Sequence, residues 1–227
     1  MIQIPYIGYE FSFPPLESAT QDGLLAYGGD LSAKRLLLAY RNGIFPWFND
    51  NDPILWWSPN PRSVLFTDEF IFRKSLKKRM KHFEIRYDTA FKQVMHECGK
   101  IPREGQNGSW ITAEMIEAYS VLHDMGYAHS VEAWQDGELV GGLYGVSIGK
   151  IFFGESMFAR VSDASKVAFA HLIERIKKAG FEIIDCQISS PHLKSLGARE
   201  ISREEFSTIL KNKVYEVDAP TSWSLEA

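Results

Sequence analysis

The chain has 227 residues, a net charge of −4 at neutral pH, 45% hydrophobic residues and 24% charged residues. A chain of this size removes about 70% of its unfolded surface from water on folding, so it needs neither disulfide bonds nor a structural metal to form a core. These values predict a soluble globular protein and exclude disordered, collagenous and repeat proteins.

The N-terminal segment and the cysteines point to the cytoplasm. The first residues have no basic segment, and Pro5, Gly8 and Glu10 interrupt the apolar ones, so they predict no secretory signal. No run approaches the roughly 20 apolar residues that span a bilayer. The two cysteines, Cys98 and Cys186, are too far apart for a metal-binding or redox pair. We therefore expect a cytoplasmic protein without membrane contact.

Residues 1–62 predict a small, loop-rich N-terminal domain, because they contain seven of the ten prolines and three of the six tryptophans. Ser32 can cap one helix, residues 33–42, and Gly43 can end it in a left-handed conformation. Tyr40 lies near the end of this helix. The segment that follows, residues 43–62, is too aromatic and too rich in proline for an ordinary linker.

A basic segment follows at residues 73–86, where seven Lys and Arg residues accompany one acid, giving +6 and leaving −10 for the rest of the chain. In a helix, Lys74, Lys77, Lys78 and Lys81 form one cationic stripe. Like charges at this spacing destabilise a helix slightly, so a phosphate ligand is one explanation for them. A solvated helix face is the alternative, and composition alone does not separate the two.

Residues 63–227 alternate helix and strand patterns and predict an α/β (α+β) domain in which helices cover a mainly antiparallel sheet. The predicted elements are a helix from the Thr112 cap to Gly126, strands 128–134, 138–148 and 150–154, a helix from the Ser162 cap to Gly180, a strand 181–187, and a last helix that begins with Ser202 and Glu205 as a capping box.

Several common catalytic motifs are missing. The chain has no G-x-S-x-G elbow of a serine hydrolase, and its six histidines lack the spacing of a zinc hydrolase. The glycines at 28 and 29 lack the lysine and hydroxyl residue of a phosphate-binding loop, so a tight turn is the better interpretation. The run YGVSIGK lacks the spacing of a dinucleotide fingerprint, and Gly149 and Lys150 predict a hairpin turn.

Asp185 and Gln187 end an apolar strand, where a sheet can open to form a site. Alternate residues of a strand share a face, so these two side chains point one way while Cys186 points into the core. On the residues alone a structural role is favoured, with Asp185 capping the next loop and Gln187 bonding backbone amides.

Glu155 is an acid among apolar residues, and buried acids need partners. One interpretation is an ion pair with Arg160 or Lys166, and the other is a specificity carboxylate for a cationic substrate. Trp47 and Trp110 lie in loops, from which an indole can stack on a base or hold the loop in place.

Several unusual strings together resemble the bacterial leucyl/phenylalanyl-tRNA–protein transferases over residues 11–206. These strings are GLLAYGGDLS (23–32), YRNGIFPWF (40–48), ILWWSPNPRSVLF (54–66), WITAEMIEAYSVLHDMGYAHSVE (110–132), GGLYGV (141–146), FFGESMF (152–158), DASK (163–166) and IIDCQ (183–187) followed by SLGA (195–198).

The resemblance implies an enzyme that moves leucine or phenylalanine, and by extension methionine, from its tRNA to the N-terminal Arg or Lys of a protein, which marks that protein for degradation. It also implies an N-acetyltransferase-like catalytic domain, residues 63–227, behind the small N-terminal domain. The stretch ARVSDASK has no glycine for the pyrophosphate of coenzyme A. An aminoacyl ester is already activated, so we expect no ATP, metal or coenzyme A.

The resemblance assigns roles to residues that match the family. Asp185 would orient and polarise Gln187, which would hold the attacking amine, and Glu155 would face the acceptor peptide. The aminoacyl and adenosine groups would contact Tyr40, Trp47, Trp110, Leu143, Phe152 and Leu172. The tRNA phosphates would contact Arg73, Lys74, Lys77, Lys78, Arg79 and Lys81.

Two alternatives of other classes remain, a coenzyme A-dependent N-acyltransferase and a non-catalytic RNA-binding protein. The expected partners are leucyl-tRNA, phenylalanyl-tRNA and proteins with an N-terminal Arg or Lys. We expect a monomer, because every predicted apolar helix face has a place in the core.

Overall fold

The structure is a computed structural model that describes residues 4–101, 111–216 and Trp223. The helices are α1 (Ala33–Arg41), α2 (Lys74–Met80), α3 (Phe91–Gly99), α4 (Ala113–Asp124), α5 (Ala164–Lys178), α6 (Pro191–Leu196) and α7 (Arg203–Lys213). The strands are β1 (Tyr6–Ile7), β2 (Leu24–Gly28), β3 (Phe45–Pro46), β4 (Leu55–Trp57), β5 (Arg62–Phe66), β6 (Glu84–Tyr87), β7 (Ala128–Gln135), β8 (Glu138–Ile148), β9 (Ile151–Ala159), β10 (Ile183–Gln187) and β11 (Arg199–Ile201).

The N-terminal part of the chain forms a small four-stranded sheet in the order β1-β2-β4-β3. Helix α1 leaves this sheet, and Ser32 Oγ accepts a hydrogen bond from the Arg35 amide at 3.4 Å, which confirms the predicted cap. Gly43 follows the helix with a φ of 72°, a conformation that glycine adopts without strain. The helix therefore ends where the sequence predicts.

A seven-stranded sheet forms the main body, in the order β11-β5-β10-β9-β8-β7-β6. Only β9 and β10 pair in parallel among its described strands, so the prediction of a mainly antiparallel sheet is confirmed. Arg62, which the sequence analysis assigned to the first domain, begins β5 inside this sheet. The division at residues 62 and 63 stays a prediction.

Helices cover both faces of the large sheet. On one face, α3 and α4 pack with α1 around Tyr40, Tyr119 and Tyr144. On the other face, α5 packs over β7, β8 and β9 and buries Leu172 against the core that contains Phe152. This arrangement confirms the prediction of a sheet covered by helices. None of the helices in the described ranges has the length and apolar character to cross a bilayer.

Several element ends differ from prediction. The β9 strand continues to Ala159 instead of ending at residue 154, because it pairs with β8 on both sides of Glu155. Helix α5 is preceded by Asp163 at a φ of 68°, and no side chain caps it, so the prediction of a Ser162 cap is wrong. The caps of Thr112 on α4 and of Ser202 on α7 are confirmed.

Candidate active site at an opening of the sheet

The parallel strands β9 and β10 separate partway along the sheet. Their last register pair joins Asp185 to Phe153. Beyond it, β9 continues along β8 to Ala159, whereas β10 ends at Gln187. The sheet therefore opens at the end of β10, where the sequence placed a candidate site.

A β-bulge in β9 sets the position of Glu155 at this opening. Across the strand pair, Gly145 lies opposite Gly154 and Tyr144 lies opposite Ser156, so Glu155 is an extra residue without a partner in the register. Such an insertion bends the strand and redirects its side chains. The bulge turns the Glu155 carboxylate towards the buried tyrosines under the sheet.

A second bulge lies on β10. Asp185 and Gln187 oppose the adjacent residues Val64 and Ser63, so Cys186 is the extra residue. Gln187 has a φ of 56°, which is uncommon for a residue with a side chain. The regular alternation predicted for residues 185–187 therefore ends at Gln187. Cys186 packs in the core as predicted, and burial raises the pKa of its thiol above the ordinary value.

The opening leads into a cavity of about 710 Å³ that is lined mainly by apolar side chains. Six of the predicted site residues line it, namely Trp47, Leu143, Phe152, Glu155, Leu172 and Gln187. Residues far apart in the chain thus meet around one space. Trp110 lies outside the described residues.

Glu155 is held by hydroxyl and amide donors. The Tyr40 hydroxyl donates to Oε1 at 2.7 Å, Gln187 Nε2 donates to the same oxygen at 3.2 Å, and the Tyr119 hydroxyl approaches Oε2 at 3.5 Å. The two tyrosine hydroxyls also bond to each other. Burial raises the pKa of Glu155 to about 7, the Tyr40 bond opposes this shift, and the nearby Asp185 charge adds to it.

The predicted ion pair of Glu155 with Arg160 or Lys166 is wrong. Arg160 binds Glu97 at 2.5 Å, and Lys166 lies 3.4 Å from Asp163. Within the described ranges no Lys or Arg side chain lies within salt-bridge distance of Glu155. The described part of the chain consequently supplies no cation to this carboxylate.

Asp185 is fully buried in a bidentate pair with Arg62. The guanidinium donates from Nε and from its second terminal nitrogen, at 2.8 and 2.7 Å. Arg62 also donates to the carbonyl of Gly43 at 3.0 Å, so its charge is enclosed by acceptors. Asp185 Oδ1 additionally accepts from the backbone amide of Gln187 at 3.0 Å. Asp185 thus holds Gln187 through its backbone and does not contact its side-chain amide.

Arg62 and Tyr119 belong to the site, although neither was predicted as a site residue from the sequence. Arg62 is the first residue of the strand RSVLF and its only charged one, and a cation in a buried strand needs an acid. That position was the available signal. Tyr119 belongs to the apolar stripe of α4 and is fully buried, and nothing in the stripe distinguishes a hydroxyl that bonds to Glu155. Tyr40, predicted at the aminoacyl group, lies behind Glu155 in the same hydrogen-bonded group.

Burial raises the pKa of both tyrosine hydroxyls well above the ordinary value, and the neighbouring Glu155 charge adds to the effect. Tyr40 and Tyr119 therefore keep their protons. Tyr40 donates to the carboxylate, and the Tyr119 proton is shared between the Tyr40 hydroxyl oxygen and the more distant Oε2. Trp47 packs against Trp57 in a tilted arrangement, with 5.5 Å between ring centroids and planes at 59°, and its carbonyl accepts from the Trp57 indole at 2.7 Å. Its ring is thus fixed at the cavity wall.

The predicted cationic stripe forms on helix α2. Leu76 faces inward and packs on Val167 and Ala170 of α5, which turns the charged side chains outward. The exposed side chains, called the basic face below, are Arg73, Lys74, Lys77, Lys78 and Lys81. Among the described residues none of these five has an acidic partner within salt-bridge distance. Arg79 differs, because it donates to the Ser162 carbonyl at 3.1 Å and lies 3.7 Å from Asp163.

No group of three His, Cys, Asp or Glu side chains in the described ranges is arranged to hold a metal ion. The polar groups that converge at the cavity are the carboxylate of Glu155, the amide of Gln187 and the tyrosine hydroxyls behind them. Such a set can bind an amine and orient it towards an acyl group in the cavity.

Comparison with known proteins gives consistent matches along the chain. Residues 64–211 match the family model described as "Leucyl/phenylalanyl-tRNA protein transferase", and residues 29–60 match that of its N-terminal domain. A relative named leucyl/phenylalanyl-tRNA–protein transferase in Nitrosospira multiformis is 56% identical, over 98% of this chain and 97% of its own length. One of the same name in Sulfurimonas denitrificans is 58% identical, over 87% of each.

Solved structures resemble the chain more weakly. A GCN5-related N-acetyltransferase from Kribbella flavida aligns with a TM-score of 0.40 and 8% identity, over 73% of this chain and 59% of its own. Structural similarity at this level assigns no function to the chain. The sequence matches are much stronger, and they show that the chain belongs to the leucyl/phenylalanyl-tRNA protein transferase family.

Proposed function

We propose that this protein transfers leucine or phenylalanine from an aminoacyl-tRNA to the N-terminal Arg or Lys of an acceptor protein, and that the product is marked for degradation. One observation carries the proposal for a chain of this family. An apolar cavity has in its wall a carboxylate, Glu155, that lies beside the Gln187 amide and has no cation within salt-bridge distance in the described part of the chain.

The apolar part of the cavity suits the donor side chain. Leu143, Phe152 and Leu172 lie in its lining and offer no hydrogen-bonding groups. Leucine and phenylalanine side chains gain from leaving water here, whereas a charged side chain would lose its hydration without a partner. A branch at the β-carbon would be excluded by shape. Trp47, in the same lining, offers a ring face to the terminal adenosine.

The carboxylate suits a cationic acceptor. Glu155 accepts bonds from Tyr40 and Gln187 but has no cation within salt-bridge distance among the described residues. Either the α-amine or the charged side chain of an N-terminal Arg or Lys could donate a charge-assisted hydrogen bond to the Glu155 carboxylate. An acceptor with an acidic first residue would be repelled by the same group.

The reaction is aminolysis of an ester. The acceptor nitrogen forms a bond with the ester carbonyl carbon, the carbon–oxygen bond to the ribose breaks, and the ribose hydroxyl leaves with a proton. Because Gln187 Nε2 donates to Glu155, its amide oxygen remains available to accept from the attacking amine. The pKa of Glu155, about 7, is close to the pKa of a free α-amine. The two groups can therefore exchange a proton.

Asp185 and Arg62 act behind this group. Their bidentate pair fixes the end of β10, and Asp185 holds the Gln187 backbone amide at 3.0 Å. Gln187 is thereby held at an uncommon φ of 56°, with its side chain facing Glu155. Most of the rate gain in such a reaction comes from placing two bound substrates correctly. No step of the proposal requires ATP, a metal or coenzyme A.

The basic face is the proposed site for tRNA. Its five exposed cations carry no acidic partners among the described residues, and the helix beneath it packs on α5, which also lines the cavity through Phe169 and Leu172. Phosphate contacts of this kind are independent of base sequence, which suits the use of more than one tRNA. A monomeric state and a cytoplasmic location remain part of the proposal.

A transfer assay tests the proposal directly. Purified protein would be given tRNA charged with labelled leucine or phenylalanine and peptides that differ only in their first residue, Arg, Lys, Ala or Asp. We expect label on the Arg and Lys peptides alone. Binding of tRNA without transfer would indicate a non-catalytic RNA-binding protein, and labelling of the Asp peptide alone would overturn the role of Glu155.

A further inference from the structure

Trp223 lies beyond the last helix, and yet its side chain is only 5% exposed. It belongs to the same core cluster as three predicted walls of the cavity, Leu143, Phe152 and Leu172, although it does not line the cavity itself. A residue so placed can act on the cavity only through the side chains in front of it.

Among the described residues, Trp223 contacts the rings of His129 and Phe152 and the cation of Arg175. Its indole stacks on the His129 ring, with centroids 4.1 Å apart and planes 6° from parallel, and on the Phe152 ring at 5.8 Å and 24°. Arg175 donates to the Trp223 carbonyl at 3.1 Å, and its guanidinium lies 5.2 Å from the indole centroid. Helix α5 thus fixes the backbone of Trp223 while β7 and β9 fix its ring.

Phe152 is confined on a second side by Gly145. A Cβ atom built at Gly145 would lie 2.6 Å from two carbons of the Phe152 ring, so the ring lies directly against this backbone. Phe152 is fully buried and cannot move towards solvent. With Gly145 on one side and Trp223 stacked on it, the ring has little freedom to withdraw from the cavity.

We infer that Trp223 is a positioning residue for donor selectivity, because it supports Phe152 as the wall that limits how large a side chain the cavity accepts. The inference rests on the proposed function. In an apolar cavity, one methylene group of extra or missing space changes selectivity by roughly 10- to 200-fold. Removing the indole would free the space into which Phe152 can withdraw.

The test compares Trp223→Ala, Trp223→Phe and a matched control, Trp134→Ala. Trp134 is half-buried and packs on a cation, Arg86 at 4.3 Å, but it lies against the other core cluster and not the one that contains Phe152. Each protein would be assayed for transfer of leucine, phenylalanine and tryptophan from charged tRNA. Binding of the matching non-hydrolysable 3′-aminoacylamino-adenosines would be measured in parallel, since binding requires no catalysis.

For Trp223→Ala we expect the preference for tryptophan over leucine to rise about tenfold in both assays. Trp223→Phe should retain the selectivity of the parent protein, and Trp134→Ala should alter all three donors equally. An equal loss for all donors in Trp223→Ala would overturn the inference, as would failure of the parent protein to bind any of the three adenosines. A parent protein that binds them without transfer contradicts the proposed function instead, and the binding ratios then decide the role of Trp223.

Discussion

Arg62 and Asp185 lie 123 residues apart in sequence, and they form a bidentate ion pair that is almost completely shielded from solvent. The pair joins the first strand residue after the small sheet to the strand that ends at the site. Removing one partner of such a pair leaves a buried charge, which costs more than the pair itself contributes.

We therefore expect Arg62→Met to lower the free energy of unfolding by about 3–5 kcal/mol. The matched control is Arg86→Met, since Arg86 and Glu84 form an exposed pair at 2.7 Å, and loss of an exposed pair should cost far less. Urea denaturation of both variants measures the difference. Similar losses in the two variants would show that the buried pair has no special role.

The raised pKa of Glu155 predicts how stability depends on pH. Because the pKa is about 7 in the folded protein and the ordinary value is 4.5, the folded state binds more protons than the unfolded state between these values. The stability contributed by the protonated carboxyl is therefore fully present below pH about 4.5 and is lost as the pH rises through about 7. At about 1.4 kcal/mol for each pKa unit, the loss is on the order of 3 kcal/mol.

Glu155→Gln cannot ionise and should lack this dependence. Urea unfolding from pH 4.5 to 8 would show the parent protein losing stability relative to the variant across this window. Glu138→Gln, a change at an exposed position, should run parallel to the parent protein. If Glu155→Gln also ran parallel to it, Glu155 would have an ordinary titration and the proposed proton exchange with the amine would lose its basis.

Gln187→Ala should lower kcat on the order of 100-fold, which is typical for loss of one preorganised hydrogen-bonding group in a reaction of acyl groups. The fold should be little affected, because the side chain makes one bond, to Glu155 at 3.2 Å. Steady-state transfer kinetics and urea unfolding, with Gln93→Ala on the exposed side of α3 as the control, separate the two effects. An unchanged kcat would rule out Gln187 as the group that holds the amine.

Neutralising three lysines of the basic face, Lys74, Lys77 and Lys78, should weaken tRNA binding and flatten its salt dependence. Each lost phosphate contact lowers the slope of log K against log salt by roughly 0.7 to 0.9. The control replaces Lys178 and Lys211, which are exposed elsewhere. Filter binding at several salt concentrations gives the slopes, and equal slopes for the two sets would assign the tRNA to another surface.

Gly145 and Gly154 face each other across β8 and β9, and alanine should be tolerated at only one of them. A Cβ at Gly145 would lie 2.3 Å from the Phe153 carbonyl oxygen, whereas at Gly154 the nearest atom is 3.6 Å away. We expect Gly145→Ala to cost about 1–3 kcal/mol of stability and Gly154→Ala to cost less. Thermal unfolding compares them, and equal losses would contradict the close contact at Gly145.

Much of the fold was accessible from local patterns in the sequence. The caps at Ser32, Thr112 and Ser202 and the apolar period of α4 gave helices whose ends lie within a residue or two of the structure. Strand β5 was missed because its sequence, RSVLF, follows a proline-rich stretch. Helix α3 was missed because no side chain caps its N-terminus. Long-range pairing, not local propensity, defines such elements.

The site was only partly accessible. The position of Asp185 and Gln187 at a strand end, and the unusual acid at 155, marked its location. The bulges that redirect Glu155 and Gln187 depend on the register with β8 and β5, which no local pattern encodes. The partner of Asp185 lies 123 residues away. The sequence can indicate that Arg62 needs an acid, but only the sheet order shows that this acid is Asp185.

Helix α5 carries on one side the contact with α2 and on another side Phe169 and Leu172 of the cavity lining. If the basic face binds the acceptor stem, α5 sets a fixed distance between the bound duplex and the cavity in which the aminoacyl ester must lie. The length of single strand that extends beyond the last base pair then matters more than its neighbouring sequence. An aminoacylated RNA hairpin whose 3′ overhang is one nucleotide shorter would bind the same lysines, but its amino acid would lie outside the cavity.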